Sequence, residues 1–240
     1  EDAIAVDGKV AAQWVNQAQS ELAGMDNVRI LTRTTAIGYY HENMVALAQR
    51  LTDHIADVAE GAPRERMWRV RAKEVILAQG ALERPLMFDG NDRPGVMLAG
   101  SAQTYLNKYG VLVGRNVAVA TSHDSAWYSA FDLFDAGAKV AVIVDLRPVV
   151  DAALVEAARS RNIDVRLGHT VTHAKGRLRV KGLRVAKLNA NGKPQGTTAI
   201  ACDAVLMSGG WTPSLHLFSH TKGSLIWDEV TGVFLPGEKT

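Results

Sequence analysis

The stretch NVAVATSHDSAWYSAFDLFDAGAKVAVIVD, residues 116–145, decides the fold class. Its apolar pattern predicts a strand over 116–120, a helix over 124–136 and a second strand over 140–144. Gly137 follows the helix, at a position where glycine commonly ends one. A strand, a helix and a strand in this order form a βαβ unit, whose two strands are parallel. The sequence therefore predicts an α/β protein.

The turn after the first strand carries the residues that a dinucleotide would contact in such a unit. Dinucleotide-binding units have three glycines there, because the backbone must approach a pyrophosphate at the helix N-terminus. These positions hold Thr121, His123 and Ala126, and Asp124 adds negative charge and is expected to cap the helix. Asp145 ends the second strand, where an acidic residue binds a ribose hydroxyl. We expect a Rossmann-like unit with a damaged phosphate site, for which a retained scaffold is the simpler interpretation.

Further helices and strands are predicted on both sides of this unit. On the N-terminal side, the patterns predict a helix over 7–24, a strand over 28–31, a hairpin from 37 to 51, a strand over 75–78 covered on both faces, and a helix over 101–109. On the C-terminal side, they predict a helix over 150–161, a strand over 165–167, an antiparallel meander over 170–200 and a buried strand over 204–207. The expected architecture is a parallel sheet with helices and an antiparallel meander.

Composition places the chain among ordinary folded proteins. Of 240 residues, 47% are hydrophobic and 22% are charged, and the net charge is +2. No apolar run reaches the roughly 20 residues of a membrane span, and the balanced charge gives no bulk attraction for nucleic acid or anionic lipid. The single cysteine, Cys202, excludes an internal disulfide and suits a reducing compartment, so we expect a cytoplasmic protein. The chain begins at Glu1 without methionine or signal peptide, which suggests a processed chain or an excised piece.

Several motifs outside the βαβ unit resemble one family. The segment KEVILAQGALERP at 73–85 resembles the "ATG" strand of flavoproteins with two dinucleotide-binding domains, with Gln79 in place of the usual threonine. Four more motifs follow: DRPGVMLA at 92–99, TYLNKYGV at 104–111, SGGWTPSLHLFS at 208–219 and WDE at 227–229. In this order and spacing, they resemble the α subunit of heterotetrameric sarcosine oxidase over nearly the whole chain.

The resemblance implies a reaction, cofactors and partners. In this family a much longer α subunit binds NAD, and a further domain handles tetrahydrofolate. Sarcosine is oxidised at FAD in the β subunit, electrons pass to FMN, and oxygen is reduced to hydrogen peroxide. The partners would be the β, γ and δ subunits, with no nucleic acid and no membrane. The chain would be the central dinucleotide-binding region, with the first glycine-rich loop before Glu1 and the completing strand after Thr240.

On this basis we predict two interleaved parts and a set of cofactor contacts. Residues 1–95 and 203–240 would be the remnant of a first dinucleotide-binding domain, and 96–202 an inserted unit like an NADH domain. The cofactor contacts would be backbone and small side chains close to the nucleotide: Thr34, Thr35, Ala36, Ala78, Gln79, Gly80, Gly209 and Gly210, with Asp145 at the ribose. No catalytic residue and no metal ligand is predicted.

Two alternatives stay open for the function. One component of a related amine dehydrogenase, which oxidises opines or forms cyanide from glycine, would share the segment DRPGV at 92–96. A non-catalytic scaffold that docks flavin-bearing subunits would account for the missing glycines of the βαβ turn.

Other reactive residue types have simpler interpretations. The residue types of a hydrolase triad occur at 122–124, but sequence neighbours point in different directions. His216 and His220 have the spacing of zinc ligands on a helix, yet no third ligand is evident, so we expect surface or packing histidines. Cys202 is expected to pack or to be a partly exposed thiol, since no activating base can be placed beside it.

A basic run lies in the predicted meander. Its members alternate with apolar residues: Lys175, Arg177, Arg179, Lys181 and Arg184. This alternation predicts a strand with one solvated face, and contact with another subunit or an RNA is the alternative interpretation.

Overall fold

The computed structural model describes residues 5–238. The chain divides into two compact units, Glu1–Ala78 and Gln79–Thr240. Within the described residues, no helix is long and apolar enough to cross a membrane.

The first unit contains one helix, a two-stranded pair and a three-stranded antiparallel sheet. Its elements are β1 (Ala5–Val6), β2 (Lys9–Val10), α1 (Ala11–Ala23), β3 (Thr34–Tyr40), β4 (Met44–Arg50) and β5 (Glu65–Arg71). The sheet order is β3-β4-β5, and a short 3-10 turn at His41–Asn43 connects its first two strands. The hairpin expected between residues 37 and 51 is therefore confirmed.

Two strands predicted in this unit do not form. Residues 28–31 and 75–78 lie outside every described strand, and Ile76 is 92% exposed rather than covered on both faces. A strand needs a hydrogen-bonding neighbour, and no described strand pairs with either segment. Residues 75–78 are an apolar run, but such a run does not show whether a partner strand lies beside it.

The second unit contains the predicted βαβ segment and the meander. Its first elements are β6 (Ala81–Glu83), β7 (Val96–Leu98), α2 (Ala99–Tyr109), β8 (Asn116–Thr121), α3 (Ser125–Asp135), β9 (Lys139–Asp145), α4 (Ala152–Ser160) and β10 (Val165–Leu167). They are followed by β11 (His169–Gly176), β12 (Val180–Leu188), β13 (Pro194–Ile200), β14 (Ala204–Ser208), β15 (Trp211–Pro213), α5 (His216–His220), β16 (Leu225–Asp228) and β17 (Val233–Pro236).

A parallel sheet in the order β10-β9-β8-β14-β7 is the centre of this unit. Alternate residues of each strand point to opposite faces of the sheet, and each face packs against different elements. Val117 and Val119 of β8 pack in one apolar core with α2, α3 and α4. Ala118 and Ala120 pack in a second core with the antiparallel sheet β11-β12-β13. The unit thus has three layers, and β9 is also covered on both faces, since Ile143 packs in the first core and Val142 and Val144 in the second.

The strand β14 bears on the predicted domain division. Residues 203–240 were assigned to the first dinucleotide-binding domain, but β14 lies between β8 and β7 in the parallel sheet. By its hydrogen bonds, β14 belongs with the strands of the predicted inserted unit. The division into 1–95 with 203–240 and 96–202 stays a prediction for the remaining segments.

Candidate functional site

The carboxyl ends of β8, β9 and β14 meet at one edge of the parallel sheet. Thr121, the last residue of β8, pairs with Asp145 on one side and with Ser208 on the other. The chain moves outward through β8, β9 and β10 and then returns to form β14 on the other side of β8. Open α/β sheets bind ligands outside the carboxyl ends of strands at such a reversal. We therefore take this edge as the candidate site.

The turn after β8 is braced by a side chain where a glycine was expected. Thr121 is fully buried, and its hydroxyl oxygen accepts a hydrogen bond from the backbone N–H of His123 at 2.9 Å. The same hydroxyl lies 2.8 Å from the carbonyl oxygen of His123 and 3.2 Å from that of Ser208. Ala126 is also fully buried, whereas His123 is exposed. Of the side chains expected to obstruct a pyrophosphate, only that of His123 faces outward.

Asp124 does not cap α3, contrary to the expectation. Its backbone has already taken helical angles (φ −66°, ψ −31°), and its side chain makes no capping hydrogen bond. A side-chain cap normally requires a non-helical residue, whose carboxylate can reach back over the first turn. The carboxylate instead pairs with Arg147 at 2.8 Å, from Oδ1 to Nη1. The backbone N–H of Ser125 donates to Nδ1 of His123 at 3.2 Å. The histidine thus accepts from one of the backbone N–H groups that have no partner within the helix.

Asp145 is fully buried and has no free acceptor position. Its Oδ1 accepts from the backbone N–H of Arg147 at 2.9 Å and from Nε of the same residue at 3.0 Å. Its Oδ2 accepts from Nε1 of Trp127 at 2.9 Å and from Nη2 of Arg147 at 2.8 Å. A carboxylate has about four lone-pair positions, and all four are filled from within the chain. A ribose hydroxyl would have to displace one of these hydrogen bonds.

Arg147 connects two carboxylates at this edge of the sheet. It bridges the carboxylates of Asp145 and Asp124, both at 2.8 Å. The hydrogen bonding of the Arg147 guanidinium to the carboxylate of Asp145 raises the pKa of Arg147 above its ordinary value. Partial burial of the guanidinium opposes this shift, and its pairing with Asp124 adds to it. The guanidinium is thus permanently charged, and it holds the acid in a structural role.

The two glycines after β14 pack against Arg84. Gly209 donates its N–H to the carbonyl of Arg84 at 2.7 Å, and its own carbonyl accepts from Nε of Arg84 at 3.0 Å. The backbone N–H of Arg84 donates to the carbonyl of Gly210 at 2.8 Å. Gly210 has a φ of +87°, a conformation that favours glycine. Close packing within the chain therefore accounts for both glycines.

The structure brings four of the predicted contact residues together in the second unit. Gln79 donates from Nε2 to the carbonyl of Ser214 at 2.7 Å, and Ser214 donates its N–H to the carbonyl of Gly80 at 3.0 Å. These bonds continue the antiparallel pairing of β6 with β15, whose strands adjoin Gly209 and Gly210.

Four other predicted contacts lie in the first unit. Thr34, Thr35 and Ala36 were expected after a strand, but they lie within β3, where they pair with residues 47–49 of β4. Ala78 is the last residue of that unit and is exposed.

Two polar contacts at the sheet edge were missed by the sequence analysis. Trp211 donates from Nε1 to the hydroxyl of Ser125 at 3.0 Å, and that hydroxyl lies 2.9 Å from Nδ1 of His123. Glu83 accepts from the backbone N–H of Gly100 at 2.9 Å and so caps the start of α2. Both contacts join residues that are far apart along the chain, and no local motif indicates them.

The remaining reactive residue types assemble no catalytic group. His123 contacts Ser125 rather than Ser122, and Asp124 turns to Arg147, so the three neighbours form no triad. Among the described residues, no group of three histidine, cysteine or acidic side chains could hold a metal ion. His216 and His220 line a cavity of about 340 Å³ beside α5.

Cys202 is buried and carries an inert thiol. Burial raises its pKa to about 12, and the negative charge of Asp203 adds to the shift. A thiol with this pKa is protonated at neutral pH, so it is not a nucleophile there.

Comparison with known proteins relates the chain to the α subunits of sarcosine oxidases. No protein-family model matches the chain. The chain is 40% identical over 237 residues to the sarcosine oxidase α subunit of Rhizobium meliloti and 41% identical over 237 residues to that of Corynebacterium sp. strain P-1, covering 98% and 96% of the chain. The chain is homologous to sarcosine oxidase α subunits. It spans about a quarter of their length, 23% and 24% respectively.

A second relative is more distant. One of the subunits of opine oxidase from Agrobacterium tumefaciens is 25% identical over 236 residues, which cover 93% of the chain and 46% of that protein. The resemblance to sarcosine oxidase α subunits that the motifs indicated is confirmed, and both relatives are oxidases by name.

Solved structures confirm the fold class. Thioredoxin reductase of T. acidophilum superposes with a TM-score of 0.64 at 16% identity, over 100% of this chain and 76% of its own. L-Proline dehydrogenase of P. horikoshii gives a TM-score of 0.60 at 19% identity, over 98% and 38%. The chain has the Rossmann-like architecture of FAD- and NAD(P)-dependent oxidoreductases.

The βαβ turn does not fit the dinucleotide that this fold usually binds. The acid at the end of β9 is saturated by hydrogen bonds, and Arg147 joins it to Asp124 beside the start of α3. The three glycine positions carry side chains, of which His123 is exposed. In this homologue of the sarcosine oxidase α subunit, the turn therefore lacks the open backbone that a pyrophosphate needs.

Proposed function

We propose that the chain is the dinucleotide-domain region of a sarcosine oxidase α subunit. The single observation that carries this proposal is the 40% identity to such a protein over 98% of the chain. The complete complex would oxidise the CH–NH group of sarcosine, release glycine and hydrogen peroxide, and pass a one-carbon unit to tetrahydrofolate. FAD and FMN would supply the redox chemistry, and the β, γ and δ subunits would be the partners, in the cytoplasm.

Within that complex, this chain would serve as a scaffold rather than as the site of oxidation. The sheet edge presents His123, whose Nδ1 is engaged by Ser125, and a buried aspartate held by Arg147. Neither group is arranged to take a proton from an amine substrate. NAD contact, which the family implies, would involve the backbone around Gln79, Gly80, Gly209 and Gly210 of the second unit. For the first unit, Thr34, Thr35, Ala36 and Ala78 stay predicted contacts.

A component of an opine-oxidising complex is the second candidate. The relationship to the opine oxidase of Agrobacterium tumefaciens supports it, since the match covers 93% of the chain. The identity to this opine oxidase component is 25%, against 40% to the sarcosine oxidase α subunit, so sarcosine is favoured as the substrate of the complex.

The experiment that separates these candidates uses the full-length gene product, purified together with the products of the neighbouring genes. We expect bound flavin in the complex, and we expect oxygen consumption with equimolar peroxide when sarcosine is added. Opines should give less than about a hundredth of the sarcosine kcat/KM, the discrimination available to a site that pairs polar substrate groups. A complex that oxidises opines and leaves sarcosine unchanged would overturn the proposal and support the second candidate.

A further inference from the structure

The antiparallel sheet β11-β12-β13 forms the most unbalanced region of charge in the chain. Its residues, 169–200, contain seven lysines and arginines and no aspartate or glutamate. The whole chain has 27 basic and 25 acidic residues, so its other parts carry an excess of acidic residues. We call this sheet with its turns, residues 169–200, the basic lobe. A nearly neutral chain thus concentrates its positive charge in one layer of the second unit.

The cations of the basic lobe point away from the core. Lys181, Arg184 and Lys187 of β12 are exposed, while Leu183 and Val185 between them are buried against the parallel sheet. None of these three cations forms an ion pair within the described residues. The strand therefore presents three unpaired positive charges to the solvent.

Cross-strand pairing does not neutralise these charges. His173 lies opposite Arg184, and His169 lies opposite Lys187, at positions where a carboxylate would stabilise the pair. The carboxylate of Asp89 contacts His173 at 2.5 Å rather than either cation. Like charges on neighbouring positions repel, and a negative surface laid against them would remove that repulsion.

We propose that the basic lobe is a docking surface for an acidic surface of a protein partner. An exposed apolar residue, Leu178, lies at the tip between β11 and β12, flanked by Arg177 and Arg179, and is 84% exposed. A small apolar contact surrounded by charged and polar groups is the anatomy of a protein interface. This proposal does not depend on the identity of the substrate.

Residue types in the lobe favour a protein over a nucleic acid or a membrane. Residues 169–200 contain no phenylalanine, tyrosine or tryptophan, and single-stranded nucleic acids bind largely by stacking on aromatic rings. One leucine buries too little apolar area to hold a protein at a lipid bilayer, which generally takes a lipid chain or an amphipathic helix. Carboxylates of a protein surface match the lysine and arginine donors without either requirement.

The test measures binding of fluorescein-labelled poly-L-glutamate to the 240-residue chain by fluorescence anisotropy at low ionic strength. The lobe variant carries Lys181→Glu, Arg184→Glu and Lys187→Glu. The matched control carries Lys73→Glu, Lys108→Glu and Lys139→Glu, which are exposed and lie outside the lobe. Both variants change the net charge equally, so only the location of the charges differs.

We expect salt-sensitive binding that weakens at least about tenfold in the lobe variant and less than about threefold in the control. Absence of binding to the unaltered chain, or equal losses in both variants, would overturn the proposal. So would binding of poly-uridylate RNA or phosphatidylserine vesicles that is as tight as poly-glutamate binding and equally sensitive to the lobe variant. If the lobe variant does not fold by circular dichroism, Lys181→Gln, Arg184→Gln, Lys187→Gln replaces it. The control then becomes Lys73→Gln, Lys108→Gln, Lys139→Gln, so that the change in net charge stays matched and the expected direction is the same.

Discussion

At the end of β9, a buried carboxylate is held by a residue two positions further along the chain. Asp145 occupies the position at which related folds bind a ribose, and its position in the sequence correctly predicted its place in the sheet. Its role differs, because Arg147 and Trp127 fill every acceptor position. The Asp-x-Arg spacing is a local signal that could have indicated this pairing. The contact with Trp127 depends on the packing of α3 and has no such signal.

Removal of Arg147 should destabilise the chain. Arg147→Ala leaves Asp145 buried with two of its four hydrogen bonds and no countercharge, and we expect a loss of about 1–4 kcal/mol in the free energy of unfolding. Urea denaturation measures the loss. Arg159→Ala is the control, because Arg159 forms an exposed pair with Glu156, which contributes at most about 1 kcal/mol. Equal losses in the two variants would show that the buried Asp145–Arg147 pair contributes no more to the free energy of unfolding than an exposed pair.

Burial should make Cys202 unreactive. Because burial raises its pKa to about 12, the thiol is protonated at pH 8, and we expect Ellman's reagent to label the native chain at least about a hundredfold more slowly than the urea-denatured chain. Similar labelling rates in both states would contradict the burial.

The same thiol gives a pH-dependent contribution to stability. Its folded pKa of about 12 lies above the ordinary value of 9.0, so its contribution is complete below pH 9 and is lost as the pH rises toward 12. The difference in unfolding free energy between the chain and Cys202→Ala should therefore shrink by about 1–2 kcal/mol between pH 8 and pH 10.5. Denaturation curves at the two pH values measure it, and a constant difference would contradict the pKa shift.

At the scale of elements, β9 is a buried strand of the layered unit. Ile143 is fully buried in the core between the parallel sheet and its helices. We expect Ile143→Ala to cost about 2–5 kcal/mol, and Ile76→Ala, the same change at an exposed site, to cost less than about 0.5 kcal/mol. Thermal melts compare the two variants. A melting shift indistinguishable from zero for Ile143→Ala would contradict the packing of β9.

The turn between β8 and α3 should bind no NADH in the unaltered chain. The variant Thr121→Gly, His123→Gly, Ala126→Gly with Asp124→Ala removes the side chains and the charge, yet it also removes the Thr121 brace, so we expect weak binding at best. Loss of the partly exposed Asp124 pair should itself cost no more than about 1 kcal/mol. Calorimetric titration of NADH into both proteins provides the measurement. Micromolar binding to the unaltered chain, abolished by Ser122→Trp or Ser125→Trp, would place a nucleotide on this turn after all.

Local patterns predicted elements that carry their own hydrogen-bonding partners. The βαβ segment, the hairpin of β3 and β4, and the meander follow from periodicity and turn residues close together in sequence. The predictions of strands over 28–31 and 75–78 were wrong, because a strand also requires a partner strand that its own residues do not specify. The bonds between Arg84 and Gly209 and between Trp211 and Ser125 join distant residues, so they became visible only in the folded chain.

On the scale of the whole molecule, the described residues of the second unit form three layers around a parallel sheet. Its sheet edge is closed by internal hydrogen bonds, its single thiol is buried, and its described residues contain no metal-binding group. Homology to sarcosine oxidase α subunits, which are about four times as long, is consistent with chemistry that takes place elsewhere in a complex. In the proposed scaffold role, this chain would support an oxidase without itself oxidising the substrate.

Peroxide release from the purified 240-residue chain, supplied with sarcosine, FAD and FMN, tests that claim most directly. The full-length complex, assayed in parallel, shows that the reagents support turnover. We predict peroxide release no greater than that of buffer with free flavins for the chain alone. Sarcosine-dependent peroxide above that level, reduced by His123→Ala at the sheet edge, would contradict the account, because it would place the oxidation on the residues assigned here to a scaffold.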